Sequence, residues 1–83
     1  MSKNVEKDMI EMLSTMTGFE PKEIKLNMNI VKDLGVDSLK VIEIATAIEQ
    51  KYKVTVKETQ MTKIHTVADS IALVKRLIEK NKV

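Results

Sequence analysis

The stretch Asp33-Leu34-Gly35-Val36-Asp37-Ser38-Leu39 decides how this chain is read, because it carries an irregular segment straight into a helix. Gly35 lets the chain turn. Asp37 is a strong N-cap residue, since its short carboxylate accepts a hydrogen bond from an amide of the first helical turn. Ser38 then falls at the first helical position. Its hydroxyl lies near amide groups that have no partner within the helix, at the positive end of the helix dipole. An anion attached to that oxygen is stabilised there, which makes Ser38 a suitable carrier of a phosphate or phosphodiester. Locally, though, a serine behind an aspartate is more often part of a cap than a modification site. The rest of the chain has to decide.

Downstream, the spacing predicts a helix from about Ser38 to Tyr52, with Val41, Ile44, Ala45, Ile48 and Tyr52 as its apolar stripe. The opposite face holds Leu39, Ile42, Glu43, Thr46, Glu49 and Gln50. Leu39 and Ile42 are apolar on a face that should be wet, within about one turn of Ser38. Clustered apolar residues in such a place mark a binding surface. Glu43 and Glu49 flank them and suit basic groups of a partner.

Upstream, Val5, Met9, Met12, Leu13 and Met16 predict a first helix that Gly18 stops. The last helix begins at Thr66, with Asp69 three residues on, a capping box with Asp in place of Glu. Val67, Ile71, Val74 and Ile78 form its stripe. Residues 17–37 are a long link in which Pro21 starts a short helical turn. Its apolar residues Phe19, Ile24, Leu26, Met28, Ile30 and Leu34 are expected to pack over the helices. The link 53–65 is expected to hold a short helix near Glu58–Thr62, with Met61 and Ile64 inward. A β-hairpin opening at Val54-Thr55-Val56 stays open as an alternative, though an isolated one is marginal. The expected fold is all-α: a small four-helix bundle of three main helices and one short helix, with a long loop between the first two.

Eighty-three residues with 43% hydrophobic and 31% charged content suit one soluble globular domain, residues 1–83, too short for a barrel or doubly wound sheet. With Phe19 and Tyr52 the only aromatics, the core has to be aliphatic, built from Ile, Val, Leu and six Met. The methionines at 9, 12 and 16 read as core filler. The absence of Cys excludes a disulfide framework, a thiolate metal site and a Cys nucleophile, and the single His65 excludes a His-rich metal site. No apolar run approaches the ~18 residues of a membrane span. The first eight residues contain no apolar leader, so a cytoplasmic protein is expected. The formal charge of +2 is interleaved with acids, and its excess at Lys75, Arg76, Lys80 and Lys82 sits where a helix C-terminus favours cations. That is not the dense basic stripe of a nucleic-acid binder. A triad of Ser38, His65 and Asp33 or Asp37 would make an esterase, but nothing in the sequence supplies an oxyanion hole or a substrate cleft.

Gly35-Val36-Asp37-Ser38-Leu39 resembles the Gly-x-Asp-Ser-Leu sequence that opens the second helix of the acyl carrier protein family. Leu26, Ile30-Val31, Asp33-Leu34, Glu43, Ala47-Ile48-Glu49, Ile64 and Thr66-Val67 fall in the same register, so the similarity covers nearly the whole chain. The resemblance implies that Ser38 is joined through a phosphodiester to 4′-phosphopantetheine, with Asp37 and Leu39 as motif flanks. A phosphopantetheinyl transferase installs the group from coenzyme A, and its thiol carries acyl chains as thioesters between acyl-transfer, condensing and modifying enzymes of fatty acid, polyketide or related lipid biosynthesis. The sulfur of a Cys-free chain would then come from the cofactor. The protein would be a carrier, expected to be a monomer, with no catalytic residues of its own. Leu39, Ile42, Glu43, Thr46 and Glu49 become the expected partner-recognition residues.

Two departures stand out. Lys40 occupies a position where the family commonly has an acid, and Val56-Lys57 replaces a usual proline, which points to a specialised partner set. Two alternatives remain at this stage: an aminoacyl or peptidyl carrier, including D-alanyl carriers, and a cofactor-free helical interaction module that uses the Leu39/Ile42 patch.

Overall fold

The computed structural model describes residues 4–81. Residues 1–3 of the segment read as lacking a leader, and Lys82 of the basic C-terminal group, lie outside the described residues. The expected all-α architecture is found: α1 (Val5–Thr17), α2 (Ser38–Tyr52), a short α3 (Glu58–Met61) and α4 (Val67–Asn81), with a 3-10 turn at Pro21–Glu23. Among the described residues there is no strand, only an isolated antiparallel bridge between Asn29 and Thr66. The hairpin alternative at Val54–Val56 therefore falls away.

Each helix forms where its capping residues and apolar spacing dictate. Asn4 Oδ1 accepts the N–H of Lys7 at 3.0 Å to open α1. Gly18, at φ +88°, closes it by donating its N–H to Ser14 O at 2.9 Å. Val5, Met9 and Leu13, four residues apart, are buried as the core line of α1. Met12 and Met16 are only half-buried at its edge. In α2, Ile44 and Ile48 are buried, and Val41, Ala45 and Tyr52 are half-buried around them. The Tyr52 hydroxyl donates to Asp8 Oδ2 at 3.3 Å, tying the end of α2 to α1. Burial, and then the adjacent Asp8 carboxylate, push the Tyr52 phenol up to about 12.

The start of α4 is the predicted capping box. Thr66 Oγ1 accepts the N–H of Asp69 at 3.1 Å, and Asp69 Oδ2 accepts the N–H groups of Thr66 and His65, both at 3.0 Å. The helix buries a broader arc than the predicted stripe. Ser70, Leu73 and Leu77 are buried in addition to Val67, Ile71 and Val74, while Ile78 is half-buried. A helix that meets α1 along its length and the long loop at its start covers more than one line of residues. Ser70 is tolerated in that arc because its hydroxyl donates to Val67 O at 2.7 Å.

The loop from 18 to 37 is ordered by burial and by backbone pairing. Ile24, Ile30, Leu34 and Val36 are buried in the core, with Phe19 and Met28 half-buried. Leu26, expected to pack inward, is 42% exposed. Its backbone explains this position: Leu26 O accepts the N–H of Ala68, and Met28 O accepts that of Val67, both at 3.0 Å. The loop thereby satisfies two amides of α4 that have no partner within the helix. Ile30 donates its N–H to His65 O at 2.9 Å in return. Asn29 and Asp33 then clasp the turn: Asp33 Oδ2 accepts the N–H of Asn29 at 2.7 Å, and Asn29 Oδ1 that of Lys32 at 2.8 Å.

The backbone amides of Thr66 and His65 hold the Asp69 carboxyl below its ordinary range. A depressed carboxylate pKa contributes stability that is present above the unfolded-state value and is lost as the pH falls through the folded-state one. Asp69→Ala should therefore lower the melting temperature by about 5 °C at pH 7, and the gap to the parent should narrow progressively below pH 4, as read by thermal circular dichroism.

Candidate functional site

The candidate site is built where the clasped loop delivers its last residues to α2. Gly35 turns at φ +70°, and Val36 donates its N–H to Ile30 O at 3.3 Å while its side chain is buried. Asp37 follows in an extended conformation, and its Oδ1 accepts the N–H of Lys40 at 2.9 Å. The Asp37 carbonyl accepts the N–H of Val41 at 3.0 Å as the first turn of the helix closes. Ser38 is thus the first residue of α2, as the sequence predicts, and it is exposed. The first-turn amides beside it lie where an anion on Ser38 would be stabilised.

Beside Ser38 opens a cleft of about 790 Å³ between α2, α3 and the loop. Its apolar wall includes Val36, Val41, Ile42, Ala45, Val56, Met61 and Ile64, and its polar groups include Ser38, Thr46, Glu49, Thr62 and His65. This volume lies within the ~300–1,000 Å³ range of small-molecule sites. No local pattern in the sequence marks this cleft, although the resemblance to carriers implies an interior that shelters an acyl chain. Val31 and Met61 lie far apart in the chain and meet across this space only through the fold. A hydroxyl at its mouth and an aliphatic interior fit a phosphodiester-linked arm whose far end is apolar. His65 is exposed, and its backbone is committed at both groups, the N–H to Asp69 and the carbonyl to Ile30. Among the described residues no group of three His, Cys, Asp or Glu side chains could hold a metal ion.

The expected recognition residues have different surroundings. Leu39 and Ile42 are 65% and 62% exposed. Glu43 is exposed, with Oε1 3.7 Å from Lys40 Nζ. Thr46 is exposed on the cleft rim. Glu49 turns inward: it is half-buried, and its Oε2 accepts the N–H of Val56 at 2.8 Å. That bond secures the segment leading into α3, and so one wall of the cleft. Val31, 54% exposed, joins the apolar group and was missed as a surface residue, because its neighbours Ile30 and Leu34 are buried and the loop has no period to separate them.

Residues 7–74 match the family described as "phosphopantetheine attachment site". The meromycolate extension acyl carrier protein of Mycobacterium tuberculosis (strain ATCC 25618 / H37Rv) is 38% identical over 71 residues, which are 86% of this chain and 62% of that protein. The chain thus spans less than two thirds of that relative's length. An acyl carrier protein of Campylobacter curvus is 32% identical over 70 residues, 84% of this chain and 91% of that protein. The crystal structure of an acyl carrier protein from Thermotoga maritima shares the fold, with a TM-score of 0.81 at 22% identity, covering 99% of this chain and all of that one. The fold presents an exposed serine at the start of a helix, beside a cleft with an apolar wall. The chain belongs to the acyl carrier protein family. The cofactor of that family is 4′-phosphopantetheine.

The Glu49–Val56 bond is expected to protect a backbone amide from solvent. Glu49→Ala should speed hydrogen exchange at the Val56 amide by about fivefold, whereas Glu49→Gln, which keeps an acceptor oxygen, should retain most of the protection, as read by NMR.

Proposed function

We propose that Ser38 is the attachment point of 4′-phosphopantetheine and that the whole chain acts as one carrier domain, a cytoplasmic monomer. It would shuttle acyl intermediates among acyl-transfer, condensing and modifying enzymes of a lipid-building pathway. The observation that carries the reading is the position of one hydroxyl: exposed, on the first residue of α2, at the mouth of the cleft. When bound, the group supplies a thiol on a flexible arm, so that a chain without Cys holds its cargo as a thioester.

The residues of the chain have separable tasks in this scheme. Ser38 provides the anchoring oxygen. Asp37 holds the helix start in place by capping the Lys40 amide, which keeps Ser38 Oγ outside the fold. Leu39 follows Ser38 on the surface where an incoming enzyme must land. Val36, Val41, Ala45 and Met61 line a space in which an aliphatic cargo escapes water between encounters. The soft thioether of Met61 lets that wall adapt to cargoes of different shape. The tether keeps the cargo at high effective concentration before each enzyme that docks. The likeness to carriers named for meromycolate extension supports a pathway that lengthens acyl chains. Lys40 and the absence of proline before α3 support a specialised set of partners.

Incubation with coenzyme A, magnesium and a broad-specificity phosphopantetheinyl transferase should add the mass of one phosphopantetheine group. Ser38→Ala should remain unmodified yet keep its melting temperature within about 2 °C, because the cap belongs to Asp37. A chain that gains no mass, or a Ser38→Ala variant that still gains it, overturns the proposal.

A further inference from the structure

The cleft beside Ser38 is not uniform along its length. Its wall on α2 starts at Ser38, continues through Val41 and Ala45, and ends at Glu49. That is roughly 16 Å of helix at ~1.5 Å per residue. Val41, Ala45, Val56, Met61 and Ile64 supply half-buried apolar surface along it. Polar wall residues such as Thr46, Thr62 and His65 are exposed, so water reaches them. Glu49 differs. Among the described residues it is the one polar member of the wall that is half-buried, and its Oε2 accepts the N–H of Val56 at 2.8 Å. The bond fixes a carboxylate at the end of the α2 wall remote from Ser38.

We propose that Glu49 limits the length of cargo this carrier shelters. An aliphatic chain tethered at Ser38 is taken up as far as Glu49, and methylene groups beyond that point stay in water. The inference rests on the carrier reading and specifies its cargo. Each methylene that lies against Val41, Ala45 or Met61 leaves water and gains by doing so. At Glu49 the gain stops. A methylene laid over the carboxylate strips its water and offers no hydrogen bond in return. Pushing the side chain away breaks the bond to Val56 and leaves that half-buried amide without its acceptor. Both routes oppose deeper uptake. Glu49 thus acts on the cargo twice, by holding the Val56 wall in place and by ending the apolar surface.

The test loads the full chain with non-hydrolysable acyl arms of roughly four, eight, twelve and sixteen carbons, a series in which each added methylene could be buried. A phosphopantetheinyl transferase and the matching coenzyme A derivatives supply them, and each product is checked by mass. The melting temperature is expected to climb with chain length and then level off, the last step adding less than about 1 °C. Hydrogen exchange at the Val56 amide should stay within about twofold of the unloaded chain. NMR contacts of the longest arm should reach Val41, Ala45 and Met61 and leave its terminal methyl without a protein neighbour. Glu49→Gln keeps an acceptor for Val56 but replaces the carboxylate with a neutral amide, which is less costly to cover. Unloaded, it should melt within about 2 °C of the parent; with the longest arm it should exceed the loaded parent by about 3 °C. A parent that gains as much at the last step as at the first, or whose longest arm packs its terminal methyl against the protein, overturns the inference even though the chain is loaded. Levelling off at the same length in Glu49→Gln, or faster Val56 exchange under the longest arm, also overturns it. A chain that gains no mass overturns the carrier reading first and takes this inference with it, so the two failures are distinguishable.

Discussion

The carbonyl groups of Leu26 and Met28 receive the N–H groups of Ala68 and Val67, and the rest of the molecule depends on this junction. The first amides of α4 have no partner within the helix, and at the buried Val67 an orphan would cost about 1–3 kcal/mol. The same two bonds hold a long segment that has no regular secondary structure of its own. Once Met28 is placed, Ile30 and Leu34 drop into the core, Asn29 and Asp33 clasp the turn, and Val36 seals the end of the loop. Ser38 then emerges at one fixed place on the surface. The site is on α2, but its position is set by the contact between the loop and α4.

This arrangement divides the molecule into parts with different duties. The α1, α2 and α4 core contains Met9, Leu13, Ile44, Ile48, Val67 and Val74, all deeply buried, and supplies the rigidity. The short α3 and the segment before it form a wall of the cleft, tied to α2 through the Glu49 carboxylate. A four-residue helix contributes little stability by itself. Its Gln60 side chain does accept the Lys57 N–H at 2.9 Å, which caps the single turn.

Charge follows the same division. Of the carboxylates that look from the sequence like invitations to a basic partner, Glu49 is half-buried on the Val56 amide, while Glu43 stays exposed beside Lys40. Next to Ser38 the exterior includes three exposed aliphatic side chains. An exposed isoleucine on a small domain is unremarkable by itself, but Leu39, Ile42 and Val31 together leave an apolar patch near Ser38.

The periodic parts of the chain were legible from residue order alone. The bounds of α2, the Gly18 stop, the Pro21 turn, the Asp37 cap and the Thr66–Asp69 box follow from local chemistry, because each is made within a few residues of its neighbour. The exposure of Leu39 and Ile42 was legible too, since a 3.6-residue period assigns them to the face opposite Ile44 and Ile48. Leu26, Val36, Leu73, Val31 and Glu49 were not. Leu26 faces solvent because its carbonyl is required by α4, and Glu49 turns inward because the amide of Val56 arrives beside it. By itself, then, residue order determined which segments are helices and which serine stands at a helix mouth, because these depend on neighbours along the backbone. Only the tertiary structure decided that the loop docks on α4, that a cleft opens beside Ser38 and that Glu49 turns onto the Val56 amide, because each of these joins groups that approach one another only when the chain is folded.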